Sequence, residues 1–412
     1  MKWQSSASST RSAWHFPCPT VSPSSSSWVR AFPSQWPPSP SEDSNPCSNP
    51  LAAIWGWGVN LHFLHRRHID VPALIRYPGR SNSAQTTHHH STYRLASFLS
   101  LTSALSIVTF WLFTRNDASR VIDYDWMPMT NLLVLAALFA IPLRRLSVSH
   151  TGRSRLLWTL RRVSVGGLAE AKDGKFGDIL LADVLTSYAK ILADLFVCLC
   201  MFFFGGRDGS ATARPDRGCG RAVLVPLIMM IPSAIRLRQC LIEYGRVRSA
   251  PYKESTGWGG QHLANAAKYS TAFPVIVLAA MLRSRKEEGS PGLYKAWVAA
   301  CLLNSLYSFY WDVTKDWDLT LFSDKRGSHD HPYGLRRTLL VHKPGVYYVV
   351  IALDLVLRCT WMIKLNSHMD RISDFESSIF LIQFLEVFRR WVWIFFRVET
   401  EWYVQRARYH VP

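Results

Sequence analysis

The 412-residue chain is poor in acidic residues and lacks the short motifs that mark most enzymes. It has 29 Asp and Glu against 47 Lys and Arg, a formal net charge of +18. No P-loop, nucleophile elbow or dinucleotide fingerprint occurs, and no nucleic-acid-binding motif. The eight cysteines include no C-x-x-C spacing, which disfavours a disulfide framework or a zinc site. The sequence therefore indicates neither an enzyme nor a nucleic-acid-binding protein, and no metal or cofactor.

Long apolar runs are abundant, with 48% hydrophobic and 13% aromatic residues. Runs of roughly 18 to 25 apolar residues have the length of helices that cross about 30 Å of hydrocarbon. We predict an all-α fold, a polytopic membrane helical bundle of about nine transmembrane helices, with eight to ten as the range. The predicted spans are 51–64, 94–114, 129–143, 179–204, 221–241, 262–282, 293–312, 346–365 and 376–397.

Composition divides the chain into three parts. Residues 1–50 contain 15 Ser and 9 Pro without apolar periodicity, which predicts disorder. Residues 51–403 form the predicted membrane domain, and 404–412 a short cytosolic tail. Two alternating sets of loops differ in Lys and Arg content. One set carries 23, in loops 65–93, 144–178, 242–261 and 313–345 and from residue 398 onward; the other carries 9, in loops 115–128, 205–220, 283–292 and 366–375. By the positive-inside rule, this asymmetry predicts a cytosolic C-terminus.

Many ionisable residues fall inside the predicted spans, where a charge costs a few kcal/mol on insertion scales. They are Asp183, Asp194, Arg236, Arg238, Lys268, Asp312, Asp316, Asp354, Arg358, Glu386, Arg389 and Arg390. Asp354 and Arg358 have i,i+4 spacing, as do Asp312 and Asp316, whereas Glu386 precedes the arginine pair by three and four residues. Each set therefore shares one helix face.

An anion-binding cage explains this set of charges. A phosphate ion that sheds water needs several donors at once; arginine supplies a planar fork and lysine a compact point charge. The alternative interpretation is structural ion pairing between helices or snorkelling at the interface, which we favour for Arg238 and Asp194. Two adjacent arginines deep in an apolar run favour the cage instead. His62, His65, His68 and the run 88–90 suggest polar loop histidines rather than metal ligands.

Eight longer segments resemble the EXS family, the membrane domain of eukaryotic phosphate exporters that includes the xenotropic retrovirus receptor. They are G-W-G-V-N at 56–60 with H-I-D-V-P-A-L-I-R-Y-P at 68–78, F-G-D-I-L-L-A-D-V-L-T-S at 176–187, R-L-R-Q-C-L at 236–241, L-A-N-A-A-K-Y-S-T-A-F at 263–273, Y-W-D-V-T-K-D-W at 310–317, D-L-V-L-R-C-T-W at 354–361 and L-E-V-F-R-R-W-V-W-I-F-F-R-V-E at 385–399. The likeness covers about residues 51–403.

This resemblance implies phosphate efflux through a path between the last six helices, about residues 179–397. The implied phosphate-binding residues are Asp183, Arg236, Lys268, Tyr269, Asp312, Asp316, Arg358, Arg389 and Arg390, and the implied gate is Trp361 with Glu386. Thr186 stands where the larger exporters have Asn. No segment resembling their N-terminal SPX sensor domain precedes the membrane part, so the chain is similar to the short fungal branch, the ER-retention-defect proteins of the Golgi.

The function expected from this likeness is return of luminal phosphate, released by glycosylation, across the Golgi or another endomembrane to the cytosol. Such transport would support retention of ER residents and recycling of glycosyltransferases. The alternative is a sorting adaptor without transport activity, whose cytosolic loops bind glycosyltransferase tails or coat machinery. Expected partners are inorganic phosphate and membrane lipids, with no nucleic acid. Oligomeric state stays open, with a homodimer among the alternatives.

Overall fold

The structure, a computed structural model, describes residues 48–75, 88–115, 117–124, 126–140, 150–204, 221–249, 259–284, 291–324, 326–329, 331–365 and 376–409. Throughout these ranges every regular element is a helix, as predicted. The predicted disorder of residues 1–50 falls almost wholly outside the described residues; α1 begins at Ser48.

Eight helices and a 3-10 turn make up the N-terminal half of the described chain. They are α1 (Ser48–Arg66), α2 (Val71–Leu74), α3 (His88–Thr114), α4 (Ala118–Asp123), α5 (Trp126–Ala140), α6 (His150–Ser164), the 3-10 turn Ala171–Asp173, α7 (Lys175–Ser187) and α8 (Ala189–Phe204). The later elements are α9 (Arg221–Ser249), α10 (Gly260–Ser270), α11 (Ala272–Ser284), α12 (Pro291–Trp311), the π turn Asp312–Asp316, the 3-10 turn Pro332–Gly334, α13 (Pro344–Arg358), the 3-10 turn Thr360–Leu365 and α14 (Glu376–Tyr409).

Four helical segments of the described chain are long and apolar enough to cross a membrane: His89–Thr114, Val223–Ser249, Gly260–Ser284 and Pro344–Met362. A fifth is obtained if the bent pair α7 and α8 forms one span. The protein is therefore a helical membrane protein with several apolar helices. The larger number of about nine stays a prediction, because α1, α5, α12 and α14 are too short or too polar to meet the same criterion.

Three of the predicted spans are interrupted in the structure. The predicted span 179–204 bends by 62° between α7 and α8, at Tyr188. The predicted span 262–282 is divided at Thr271, and α12 ends in a π turn. Breaks of this kind free backbone polar groups within the membrane, and such groups are tolerated where protein surrounds them. All three breaks adjoin buried charges described below.

The main hydrophobic core joins α1, α7, α13 and α14. Its most buried members include Leu64, Val313, Trp317, Tyr347 and Trp393. Beside this core, the fully buried Glu399 of α14 accepts hydrogen bonds at Oε1 from Tyr347 Oη (2.8 Å) and Leu340 N (3.0 Å). The same oxygen lies 2.9 Å from Arg336 Nη2. This ion pair fastens the loop that precedes α13 to the last helix.

The described cysteines and histidines match the predictions only in part. Cys240 and Cys359 carry free thiols, whereas Cys200 is disulfide-bonded, which was not predicted. His68 lies in the turn after α1, as predicted, but His62 and His65 lie on α1 and the run 88–90 begins α3, not in loops. His89 packs against His62, with ring centroids 4.7 Å apart, and against His65 at 5.1 Å. No metal-binding group of three or more ligands occurs within the part of the chain that the structure describes.

Candidate anion site

The structure gathers the predicted charges into one buried network. Asp183 lies on α7, Arg236 on α9, Lys268 and Tyr269 on α10, Asp312 and Asp316 in the π turn, Arg358 at the end of α13, and Glu386, Arg389 and Arg390 on α14. Apart from Asp316, Arg358 and Glu386, which are partly exposed, these residues are buried. Residues up to about 200 positions apart thus meet in a region where an unpaired charge would be costly.

One half of the network is centred on the Asp183 carboxylate. Arg236 Nε donates to Asp183 Oδ1 at 2.8 Å, and the Tyr269 hydroxyl donates to the same oxygen. Arg236 Nη1 donates to Gln239 Oε1 at 2.7 Å, and the guanidinium carbon lies 4.8 Å from the Tyr269 ring centroid. Each of these partners comes from α7, α9 or α10, so the three helices are fixed to one another by the charge.

The other half joins α13, α14 and the π turn. Arg358 donates from Nε to Asp354 Oδ2 at 3.0 Å and from Nη2 to Asp312. Arg389 donates from Nη1 to Asp354 Oδ1 at 3.1 Å and from Nη2 to Glu386 Oε1 at 2.6 Å. These arginines therefore have carboxylate partners on two sides, as expected for buried guanidinium groups.

Arg390 differs from its neighbour because hydroxyl groups hold it. Arg390 Nε donates to Ser187 Oγ at 2.9 Å and Nη2 donates to Thr186 Oγ1 at 3.2 Å, while the guanidinium lies over the Trp393 ring at 4.5 Å. Among the described residues it has no carboxylate within 4.0 Å. The predicted pairing of Glu386 with Arg390 is therefore indirect: Ser187 donates to Glu386 Oε1 at 2.7 Å.

Lys268 is also loosely neutralised. Its Nζ lies 3.9 Å from Asp312 Oδ1 and 3.9 Å from Asp316 Oδ2, at the limit of an ion pair. The ammonium group otherwise faces aromatic rings, with 4.6 Å to the Tyr269 centroid and 5.7 Å to that of Trp311. Cation–π contacts of this kind stabilise a desolvated ammonium group without neutralising it.

The five cations are balanced by five carboxylates, yet the balance is uneven. Arg236, Arg358 and Arg389 have close carboxylates, whereas Arg390 and Lys268 have hydroxyl groups, rings or distant oxygens as neighbours. An oxyanion that enters the network would meet incompletely neutralised positive charge at Arg390 and Lys268. Displacing a hydroxyl group from Arg390 costs less than breaking a buried ion pair, because a hydroxyl group carries no net charge and leaves no unpaired carboxylate behind.

The predicted gate residue Trp361 lies beside the network, one turn beyond Arg358. Its Nε1 donates to Ser305 Oγ at 3.0 Å, and Ser305 donates to the carbonyl oxygen of Arg358 at 3.2 Å. Its ring meets the Trp297 ring edge to face, with centroids 6.1 Å apart. Trp361 therefore closes against α12. Glu386, the other predicted gate residue, has a side chain 34% exposed and holds Arg389.

Several members of the network were not selected from the sequence. Asp354 was paired with Arg358 by spacing but left out of the predicted site, although it contacts both Arg358 and Arg389. Gln239, Ser187 and Thr186 carry no charge, so the cost of burying ions gave no signal for them. Asp194 and Arg238 lie outside the network, as expected: Asp194 pairs with Lys190, and Arg238 donates to Val165 O.

The apolar helices and the network define the chain as a helical membrane protein with arginine, lysine and carboxylate groups buried among its helices, and comparisons with known proteins show its family. The EXS family profile matches residues 47–403, so the chain belongs to the EXS family. Similar proteins include "Protein ERD1 homolog 1" of Schizosaccharomyces pombe, 30% identical over 350 residues, 84% of this chain and 87% of that protein.

Two further relatives show the breadth of the family. "Protein ERD1" of Kluyveromyces lactis is 29% identical over 336 residues, 78% of this chain and 82% of that protein. "Solute carrier family 53 member 1" of Mus terricolor is 28% identical over 359 residues, 84% of this chain but 47% of that longer protein. The resemblance to the EXS family drawn from the sequence is thereby confirmed.

Proposed function

We propose that this protein transports inorganic phosphate across a Golgi or other endomembrane, from the lumen to the cytosol. The observation that carries the proposal is the unequal neutralisation of the buried cations. Arg390 and Lys268 lack close carboxylates among the described residues, although carboxylates surround the other three cations. Kinship with a protein named as a solute carrier supports the same function.

In the proposed mechanism, phosphate oxygens replace the Ser187 and Thr186 hydroxyl groups on the Arg390 guanidinium. The planar guanidinium then binds two oxygens together, and Lys268 adds a point charge. Release requires that binding stay weak, and the carboxylates of Asp312 and Asp316 near Lys268 provide the opposing negative charge. The proposed phosphate-binding set is that given by the sequence: Asp183, Arg236, Lys268, Tyr269, Asp312, Asp316, Arg358, Arg389 and Arg390.

The remaining members of this set act as a brace. Asp183 and Arg236 fix α7, α9 and α10 around Tyr269, and Arg358 and Arg389 fix α13 and α14. A rigid brace keeps the two loosely neutralised cations apart from the carboxylates that would otherwise pair with them. Trp361 and Glu386 are the proposed gate, since each contacts the edge of the network and is partly exposed.

The test is radiolabelled phosphate flux in proteoliposomes that contain wild-type protein, Arg390→Gln or Arg161→Gln. Arg161 is an exposed arginine of α6 outside the network, so its replacement controls for loss of one positive charge. We expect Arg390→Gln to lower flux by about ten- to a hundredfold, the loss expected of a hydrogen bond to a charged group. Wild-type protein that passes no phosphate, or equal flux in both variants, would refute the proposal.

A sorting adaptor is the second candidate, and one exposed surface favours it. Trp158 of α6 is 67% exposed and has the exposed Arg161 one turn beyond it. This helix lies in the predicted cytosolic loop 144–178, where a glycosyltransferase tail or coat protein could bind. Secretion of ER residents separates the two functions: Trp158→Ala would cause it if the protein is an adaptor, whereas Arg390→Gln would cause it if phosphate transport matters.

A further inference from the structure

A stripe of charged and aromatic side chains continues along one face of α14 beyond the predicted site. Glu386, Arg390, Trp393, Arg397 and Glu401 are spaced by four, three, four and four residues, which places them on one helix face. Arg397 lies seven residues beyond Arg390, a rise of about 10.5 Å along the helix axis. The stripe therefore leads from the network toward the C-terminal end of the protein.

Arg397 is loosely held compared with Arg389. Its Nε lies 3.9 Å from Asp316 Oδ1 and its Nη1 3.4 Å from Glu401 Oε2, and the guanidinium lies 5.1 Å from the Phe176 ring centroid. Its side chain is only 17% exposed. Its Nη1 donates one long hydrogen bond to Glu401, and the Asp316 carboxylate lies beyond hydrogen-bond distance. A largely desolvated guanidinium in this setting keeps much of its capacity to bind an anion.

Asp316 connects Arg397 with Lys268. The Asp316 carboxylate lies 3.9 Å from Lys268 Nζ through one oxygen and 3.9 Å from Arg397 Nε through the other. Neither contact is a hydrogen bond, so the three groups form an open trio rather than a closed ion pair. Lys268 thus faces both the Asp312 side of the network and the Arg397 side.

A narrow space lies between α13 and α14, beside Arg389. It is too narrow to admit a water molecule, and it is lined by Trp317, Val350, Leu353, Asp354, Leu357, Arg389, Val392 and Trp393. Trp317 and Trp393 are 2% and 1% exposed, and within the described chain neither indole N–H has a hydrogen-bond partner. Two buried donors left unpaired in this conformation are available to an oxyanion that widens the space.

We propose that Arg397 and Lys268 form a second position for an oxyanion of the phosphate class, with the indole N–H groups of Trp317 and Trp393 along the way from Arg390. This inference rests on the proposed transport function. In the structure the proposed path between Arg390 and Arg397 is closed, because Arg389 is paired with Asp354 beside the narrow space. An anion that moves from Arg390 to Arg397 leaves one guanidinium as it binds the next. It therefore does not regain its full hydration shell between the two positions.

Initial rates of phosphate flux, measured against phosphate concentration on each face of the membrane in turn, test this proposal. The variants are Arg397→Gln, Arg397→Lys and, as matched control, Arg406→Gln, which removes an exposed arginine from the same helix. We expect Arg397→Gln to raise the half-saturating phosphate concentration on one face by about five- to tenfold. High phosphate on that face would restore the rate, and Arg397→Lys would retain most of it.

A purely structural role for Arg397 gives a different result, a lower maximal rate at every phosphate concentration, which would overturn the proposal. Trp393→Phe keeps an aromatic ring, although a smaller one, and removes the N–H donor, so it tests the same path even if Arg397→Gln fails to fold. Unchanged kinetics in Trp393→Phe, with Arg397→Gln unfolded or equal to Arg406→Gln, would also overturn it. Loss of flux in wild-type protein would instead refute the proposed function.

Discussion

Trp391 Nε1 donates a hydrogen bond to the carbonyl oxygen of Gly56 at 2.6 Å and so joins α14 to α1. Asn60 strengthens the junction, since its Nδ2 donates to the carbonyl oxygen of Trp391 at 3.2 Å. A Cβ atom at Gly56 would lie 2.7 Å from Trp391 Cδ1, closer than carbon atoms approach in proteins. Glycine at this position is therefore a condition for the close contact between the first helix and the last.

Gly56→Ala is expected to destabilise the protein, because its methyl group would separate α1 from α14. Overpacking of this kind typically costs about 1–3 kcal/mol. The matched control is Gly245→Ala on α9, where a new Cβ meets nothing within 4 Å and helix propensity improves. Thermal unfolding in detergent should show a lower midpoint for Gly56→Ala and an equal or higher one for Gly245→Ala. Equal midpoints would show that the junction adds nothing to stability.

Asp183→Asn is expected to cost about 3–5 kcal/mol, because it leaves the buried Arg236 without its charge partner. Combining it with Arg236→Gln should cost less than the sum of the two single changes, with a coupling of about 0.5–3 kcal/mol. Asp194→Asn is the control, since its ion pair with Lys190 is 33–40% exposed and worth under about 1 kcal/mol. Additive effects of Asp183 and Arg236 in chemical denaturation would contradict the buried pair.

Trp361→Ala is expected to increase phosphate flux, because it removes the ring that closes against Trp297 of α12. A barrier lower by about 1.4 kcal/mol would raise the rate tenfold. Trp361→Phe, which keeps an aromatic ring, should stay near wild type, and Trp158→Ala on the exposed face of α6 should not change flux. A lower flux in Trp361→Ala with unaltered thermal stability would mean that this tryptophan binds the anion rather than gating it.

Glu399→Gln is expected to lower stability far more than Tyr347→Phe. The glutamate change leaves Arg336 buried without a carboxylate, a loss of about 3–5 kcal/mol. The tyrosine change removes one hydrogen bond to Glu399, which is worth about 0.5–1.5 kcal/mol. Thermal unfolding of both variants in the same detergent gives the comparison. A Tyr347→Phe variant as unstable as Glu399→Gln would show that ring packing, and not the ion pair, fastens the loop.

The charges of the candidate site were predictable because each is costly in an apolar run. Asp183, Arg236, Arg358 and Arg389 all met that criterion, and helical spacing correctly paired Arg358 with Asp354 and Arg389 with Glu386. The same apolar runs also predicted the all-helical architecture. These signals are local in sequence, so one chain without homologues is enough to detect them.

Other features depend on contacts between distant segments and gave no local signal. Nothing in the run 179–204 indicates the bend at Tyr188, because every residue there is compatible with a straight helix. Arg389 and Arg390 are adjacent and chemically identical, yet one meets carboxylates and the other the hydroxyl groups of Ser187 and Thr186. Their difference comes from the packing of α7 against α14. Neutral partners such as Gln239 were missed because uncharged side chains carry no burial penalty large enough to draw notice.

The charge content of α14 bears on how the protein is made. Glu386, Arg389, Arg390 and Arg397 would each add about 2.5–3.5 kcal/mol near the centre of an isolated membrane helix, so this segment cannot partition into lipid by its own hydrophobicity. Its carboxylate partners Asp312 and Asp354 precede it in the chain and leave the ribosome first. We therefore predict that the last helix inserts into the bilayer only together with the helices that precede it, because Asp312 and Asp354 neutralise its arginines.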